Sequence, residues 1–178
     1  TVFFTVKQDT TRMNLRAGVI NGPKNPQFSF STILTGEIRD RDAELLAEYK
    51  NEKGKTGVLL GVNARPLVGG RGKGDGLAFT LIPEEPIIAF RKFHFNEDHN
   101  WIYLHKNMRV YANVDMWDDE GMGFRVHSVQ GDTVSLQNID VEIRRIRLDE
   151  ITSVLPYFPE ITGLFSAEAH YIQTEKDL

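Results

Sequence analysis

The feature that most constrains this chain is a strict alternation of apolar and polar side chains around residues 108–116. Nine consecutive residues fit a period of two, with Met108, Val110, Ala112, Val114 and Met116 alternating with Arg109, Tyr111, Asn113 and Asp115. Successive side chains of a β-strand point to opposite faces of the sheet, so this period predicts a strand with one apolar face. A chain built from such strands has to bury or cover that face.

The same period recurs in other stretches, whose apolar positions include Phe28, Phe30, Leu34, Val58, Leu60 and Phe79. Fifteen glycines and seven prolines break the chain into short segments. Short turns such as Asn51–Gly54 and Asp118–Gly121 join antiparallel strands. We therefore predict an all-β, mostly antiparallel fold in a single module over residues 1–178.

One segment departs from the β pattern. Asp149 can cap a helix in which Ile151, Val154 and Leu155 fall at helical spacing before Pro156 ends it. The sequence therefore predicts one short helix near 149–155, placed as a lid on one end of the sheet.

Composition excludes several functional classes. The 178 residues include 21 Lys and Arg against 25 Asp and Glu, a formal net charge of −4 that argues against a dedicated nucleic-acid binder. Cysteine is absent, which excludes disulfide frameworks, thiolate catalysis and cysteine-bound metals.

The sequence contains no recognised catalytic or cofactor motif. In the glycine-rich run Gly69–Gly76, Lys73 is followed by glycine instead of the serine or threonine of a phosphate-binding loop. The five histidines have no recognised metal-ligand spacing: His94, His99, His105, His127 and His170. We expect no enzyme activity, no catalytic residue, no cofactor and no metal.

The apolar side of the strands is then the main candidate for a functional surface. It is either packed to form a plain sandwich or left partly open as a trough in a curled, elongated sheet. A trough without polar groups suits acyl chains or unfolded apolar strands. We predict its lining to be Phe28, Phe30, Leu34, Val58, Leu60, Phe79, Met108, Val110, Ala112, Val114 and Met116.

A second interpretation rests on Trp101 and Trp117, together with abundant carboxylates. These features fit a carbohydrate-binding β-sandwich module of a secreted or surface protein. Apolar packing is the commoner role of large aromatic side chains on strands.

The carboxy-terminal part of the chain resembles a known family. Residues 136–151 form a strand that leads into the short helix, and residues 155–167 follow, with Ile161, Gly163, Phe165 and Ala167 in the pattern Ile-x-Gly-x-Phe-x-Ala. This arrangement resembles the TamB translocation and assembly module family and the related AsmA-like proteins. Residues 90–117 are similar to that family's runs of a strand, a polar turn, an aromatic residue and a further alternating strand.

The resemblance implies a fragment of a much longer envelope protein, anchored in the inner membrane by parts outside this chain. It implies a periplasmic β-taco, a rolled sheet with an apolar groove. That fold is linked to phospholipid transport between the inner and outer membranes, and to outer-membrane protein assembly and secretion. Its expected partners are phospholipid acyl chains and outer-membrane barrel assembly proteins. The family has no catalytic residues to assign here.

Overall fold

The part of the chain that the computed structural model describes is almost entirely β-structure. It comprises residues 1–22, 24, 28–68, 75–96, 100–106, 108–129, 132, 134–155 and 157–174. These residues form thirteen strands in one antiparallel sheet and one short helix, which confirms the predicted fold class at that level. The strands are β1 (Val2–Gln8), β2 (Arg12–Asn21), β3 (Phe30–Arg39), β4 (Asp42–Lys50), β5 (Thr56–Leu67), β6 (Gly76–Ile88), β7 (Arg91–Lys92), β8 (His94–Phe95), β9 (Trp101–His105), β10 (Val110–Trp117), β11 (Gly123–Ser128), β12 (Gln137–Arg147) and β13 (Leu164–Gln173), and the helix is α1 (Leu148–Ser153).

The strands lie in the sheet almost in chain order. The path runs β1-β2-β3-β4-β5-β6-β9-β10-β11-β12-β13, with β7 paired to β6 and β8 paired to β10. This order follows from the short turns, because each strand pairs with the one that the turn brings beside it. The sheet is open, with β1 and β13 at its edges, and it is neither closed nor strongly curled.

Two predicted lining residues lie outside the strands. β3 begins at Phe30, so Phe28 precedes it. Met108 sits before β10 with a φ of 64°, its N–H bonded to the carbonyl of His105, and its side chain is 71% exposed. The alternation that extends through Met108 in the sequence therefore stops at a turn in the structure. Gly69–Gly74 and His99 lie outside the described residues.

The helix confirms one prediction and corrects a detail of it. α1 begins at Leu148, and Arg147 occupies the N-cap without a side-chain cap. Asp149 is therefore in the first turn, where its negative charge interacts favourably with the positive end of the helix dipole. It is not the N-cap that the sequence predicts. The Leu148 N–H donates to the Gly163 carbonyl at 3.0 Å, which ties α1 to the start of β13.

An arginine fastens α1 to the sheet. Arg91 of β7 donates to Asp118 at 3.1 Å and to Glu150 of α1 at 2.7 Å, and it also pairs with Glu120 at 2.9 Å. The hydrogen bonds that Arg91 donates to Glu150 and then to Glu120 hold the pKa of its guanidinium above its usual value. Asp118 is 3% exposed, and its Oδ1 accepts the N–H groups of Glu120 and Met122, which closes the β10–β11 turn.

We expect Asp118→Ala to lower the free energy of unfolding by about 2–3 kcal/mol, because it leaves two turn N–H groups and part of a charged cluster without their acceptor. Urea denaturation followed by tryptophan fluorescence measures this change. The matched control is Asp119→Ala, whose side chain is 91% exposed and pairs only with His94 among the described ion pairs. Equal losses for the two variants would show that the buried carboxylate does not hold this turn.

Candidate functional site

The strand register assigns each side chain to one of two faces. Directly paired residues of antiparallel strands point to the same side of the sheet. Val114 of β10 pairs with Val126 of β11, which pairs with Val141 of β12. In the other direction, Ala112 pairs with Ile102 of β9. These rows continue to both edges, so the sheet has one shared side to which apolar positions of every long strand contribute.

We call this side the apolar face. Its apolar members include Val2, Phe4, Val6, Met13, Leu15, Ala17, Val19, Phe30, Leu34, Ile38, Ala43, Leu45, Ala47, Tyr49, Val58, Leu60, Val62, Ala64, Leu77, Phe79, Leu81, Ile88, Phe95, Ile102, Leu104, Val110, Ala112, Val114, Met116, Phe124, Val126, Ile139, Val141, Ile143, Ile146, Phe165, Ala167, Ala169 and Tyr171. Across the described pairings that link these strands, the other positions on this side are also uncharged. Arg91 of the two-residue strand β7 lies on the apolar side, since it pairs with Ile88, which pairs with Val58. The charged residues in the paired positions of the long strands point to the opposite side, the reverse face.

Nine of the eleven predicted lining residues share the apolar face by register: Phe30, Leu34, Val58, Leu60, Phe79, Val110, Ala112, Val114 and Met116. They differ in accessibility. Ala112, Val114 and Met116 are buried, with 4%, 1% and 1% of their surfaces exposed. The other six are partly exposed. Whether any of them contacts a lipid stays a prediction.

Burial on the apolar face is lowest at the two edge strands and highest at β10. Phe4 of β1 is 69% exposed and Tyr171 of β13 is 54% exposed, whereas Val114 in β10 is buried. At the α1 end of the sheet, Met116 packs in a cluster with Phe93 and Met122. The middle of the face is therefore packed interior, and its flanks present apolar surface to solvent.

The reverse face carries an ion-pair network across β10, β11 and β12. Asp115, whose side chain is 14% exposed, accepts from Arg125 at 3.0 Å and from Arg144 at 3.1 Å. Glu142 pairs with both arginines. Each carboxylate thus lies between cations, and this part of the sheet shows a polar surface to water. Sequence reasoning missed the network because its partners come from three strands whose register is not readable from the sequence.

Two histidines lie beside that network, in one row across three strands. His127 pairs by register with Asp140, which pairs with His170, and the His170 ring donates a hydrogen bond from Nδ1 to the Asp140 carboxylate. Burial, followed by the charge of Arg125, holds the pKa of His127 below its usual value, so the ring is neutral at pH 7. Across the described ranges, no three histidine or acidic residues are arranged to hold a metal ion.

The two tryptophans make ring contacts within the protein. Trp101 stacks on Tyr103 with centroids 4.4 Å apart and planes at 13°. Trp117 lies 6.4 Å from the ring of His94. One ring face of Trp101 is therefore occupied by its neighbour, which favours packing over the flat platform that stacks against a sugar.

The segment after α1 reaches back across the sheet. The Tyr157 ring stacks on Phe28 with centroids 5.4 Å apart, and its hydroxyl accepts a hydrogen bond from Asn21 Nδ2 at 2.9 Å. Asn21 pairs with Phe30 and so belongs to the apolar side. This contact joins the β2–β3 end to the α1–β13 connection, and it explains the position of Phe28, which the alternation alone assigned to a strand.

Comparisons of the chain with protein-family models, with curated proteins and with solved structures found no match. None of the described helical residues forms a segment with the length and hydropathy needed to cross a membrane. Function therefore has to be argued from the two faces and from the residues that carry the resemblance.

We expect Ala112→Asp to cost more than about 3 kcal/mol of stability or to prevent folding, because an unpaired carboxylate would be buried among apolar side chains. The matched control is Asn113→Asp, which places the same carboxylate one residue along β10 on the reverse face. Thermal unfolding of the two variants gives the comparison. A similar unfolding temperature for both would contradict the assignment of the two faces.

Proposed function

We propose that this chain is a groove module of a TamB-like or AsmA-like envelope protein, in which the apolar face shields phospholipid acyl chains from water. The observation that carries the proposal is the apolar side of the sheet, which is uncharged in the paired positions of the long strands from β1 to β13, while their charges occupy the reverse face. A surface of this extent exceeds the scattered apolar residues that soluble proteins usually expose.

Acyl chains match the chemistry of this face. They bind through apolar contact and need no hydrogen-bonding group. Residues such as Leu34, Leu60 and Phe79 provide apolar contact alone. A sugar or nucleotide would instead need polar groups that converge on one point, whereas the polar members of this face, such as Gln8, Thr32 and Gln173, lie on separate strands. The proposed lining is the partly exposed set on the strands, beside the packed residues of β10.

Two observations support a trough formed by this face. Burial is lowest at the two edge strands and highest at β10, as expected where a concave surface brings side chains together. The Tyr157–Phe28 contact adds a second line of support. Phe28 lies just before β3, and Tyr157 follows α1 at the end of β12. In a flat sheet, the seven inter-strand spacings between β3 and β12 would separate these two strands by about 34 Å.

The chain between β12 and Tyr157 has limited reach. The six residues of α1 span about 9 Å and the four that follow at most about 14 Å. Side chains must cover the remaining distance in a flat sheet, so the contact favours a bent one. We propose that the β-taco-like groove is a deeper form of this bend around bound lipid.

The resemblance supplies the setting of the proposal. It places the module in the periplasm of a Gram-negative envelope, within an inner-membrane-anchored protein that moves phospholipid to the outer membrane. Assistance in outer-membrane protein assembly and secretion, with barrel assembly proteins as partners, belongs to the same proposal. The face supports a non-enzymatic role, since contact with an acyl chain needs no reacting group.

We expect a photo-crosslinking amino acid at Leu60 to capture phospholipid from vesicles or from cells, with mass spectrometry of the adduct as the measurement. Leu59 is the matched control, because it is apolar, partly exposed and adjacent on β5 but points to the reverse face. We expect Leu60 to capture lipid at least about fivefold more than Leu59. A second pair, Leu34 and Ile33 on β3, repeats the comparison.

The proposal fails if positions on the two faces capture lipid equally. It also fails if organic extracts of gently purified protein contain no phospholipid and added phospholipid leaves no adduct at Leu34 or Leu60.

A further inference from the structure

The connection between β12 and β13 lies on the apolar side of the sheet, at the end where β12 finishes. We call α1 and the described residues that follow it, through Gly163, the lid. Glu150 of α1 accepts a hydrogen bond from Arg91, which is on the apolar side. Tyr157 accepts one from Asn21, which belongs to the same side. Two separate contacts therefore place the lid over one end of the apolar face.

The α1 end of the lid is firmly held. The Glu150 side chain is 17% exposed and pairs with Arg91 of β7. Thr152 is buried, and its hydroxyl donates to the Leu148 carbonyl at 2.9 Å. Separating a largely buried ion pair leaves charges without partners, which is costly. This end of the lid is therefore the fixed one.

The Tyr157 end of the lid is held by side chains that are open to water. Tyr157 is 68% exposed and stacks on Phe28, which is itself 43% exposed. The N–H groups of Leu155 and Phe158 donate to Thr152 and Leu155, within the lid itself. Attachment through exposed side chains can open locally while the sheet stays folded.

The backbone of Tyr157 also favours release. Its φ is 65°, a left-handed conformation that is unfavourable for a residue other than glycine. Such a conformation persists where the surrounding contacts hold it. Because the backbone can relax once the ring leaves Phe28, opening of the lid at this point costs less.

An aromatic row lies along the same end of the apolar face. The ring centroids of Phe30 and Tyr49 are 6.2 Å apart, and those of Tyr49 and Phe90 are 6.4 Å apart. Phe28 lies two residues before Phe30 along the chain, with the Tyr157 ring stacked on it. Departure of the Tyr157 ring therefore opens Phe28, beside this row, to a ligand.

We propose that Tyr157 is a latch that a phospholipid acyl chain displaces, so that the lid opens when lipid enters the trough. An acyl chain gives Phe28 the same apolar contact as the Tyr157 ring, and the released hydroxyl can bond to water. A ligand shifts an equilibrium only if it binds one form better, and the open form presents more apolar surface. The part played by lipid rests on the proposed function, whereas the latch is testable without lipid.

The first experiment measures the distance between spin labels at Thr35→Cys on β3 and Glu160→Cys in the lid, in a chain without native cysteine. Both positions are exposed. We expect Tyr157→Ala to lengthen this distance by at least about 5 Å, one strand spacing, because the lid loses its latch. The matched control is Phe158→Ala, the neighbouring aromatic residue, which is 50% exposed. An unchanged distance in Tyr157→Ala, or the same change in both variants, overturns the latch.

The second experiment adds phosphatidylglycerol vesicles to the labelled chain. We expect the distance to shift towards that of Tyr157→Ala, and we expect glycerol 3-phosphate, which has no acyl chain, to leave it unchanged. An equal shift with both additives overturns displacement by the acyl chain. An unchanged distance with vesicles, where Leu60 does capture lipid, overturns the latch and leaves the proposed function standing. Absence of capture at Leu60 contradicts the proposed function, and lipid-driven opening is then wrong as well.

Discussion

The structure depends on the agreement between side-chain alternation and strand register. A slip of one residue in any pairing would turn that strand's apolar side chains to the reverse face. In the described pairings from β1 to β13, the apolar-face positions of one strand meet the apolar-face positions of the next instead. Where the register does shift, as between Ile143 and Ile146, the apolar row resumes with Ile146 opposite Phe165. The bulge therefore changes local geometry and preserves the division between faces.

A single sheet with such a division has an apolar side that is exposed to water unless something covers it. In a sandwich, a second layer would cover the apolar side. Here the described residues supply only local cover, from the cluster around Phe93 and Met122 and from the segment that carries Tyr157. Burial is complete at Val114 and declines towards both edges. The proposed function answers this physical problem, since lipid would cover the flanks of the face.

The sequence was sufficient for the fold class because period, turns and helix spacing are local signals. It placed the strand character of β10 and the helix α1 within a few residues. It failed at Met108, where a turn with positive φ ends the strand although the alternation continues, and at Phe28, which Tyr157 holds outside β3. The ion-pair network around Asp115 was also not predictable from the sequence. Periodicity assigns a residue to a face but does not say which residues of other strands lie beside it.

The residues that stabilise the apolar face differ from the residues that are accessible to a ligand. Ala112, Val114 and Met116 show the clearest alternation in the sequence, yet they are the least exposed of the predicted lining. Strict alternation marks positions where a polar residue would be most costly, and these are positions that neighbouring side chains already cover. Contact with a ligand instead requires apolar residues that remain accessible, such as Leu34 and Leu60. The best pattern in the sequence therefore identifies the structural core of the face, and the binding surface lies on the strands beside it.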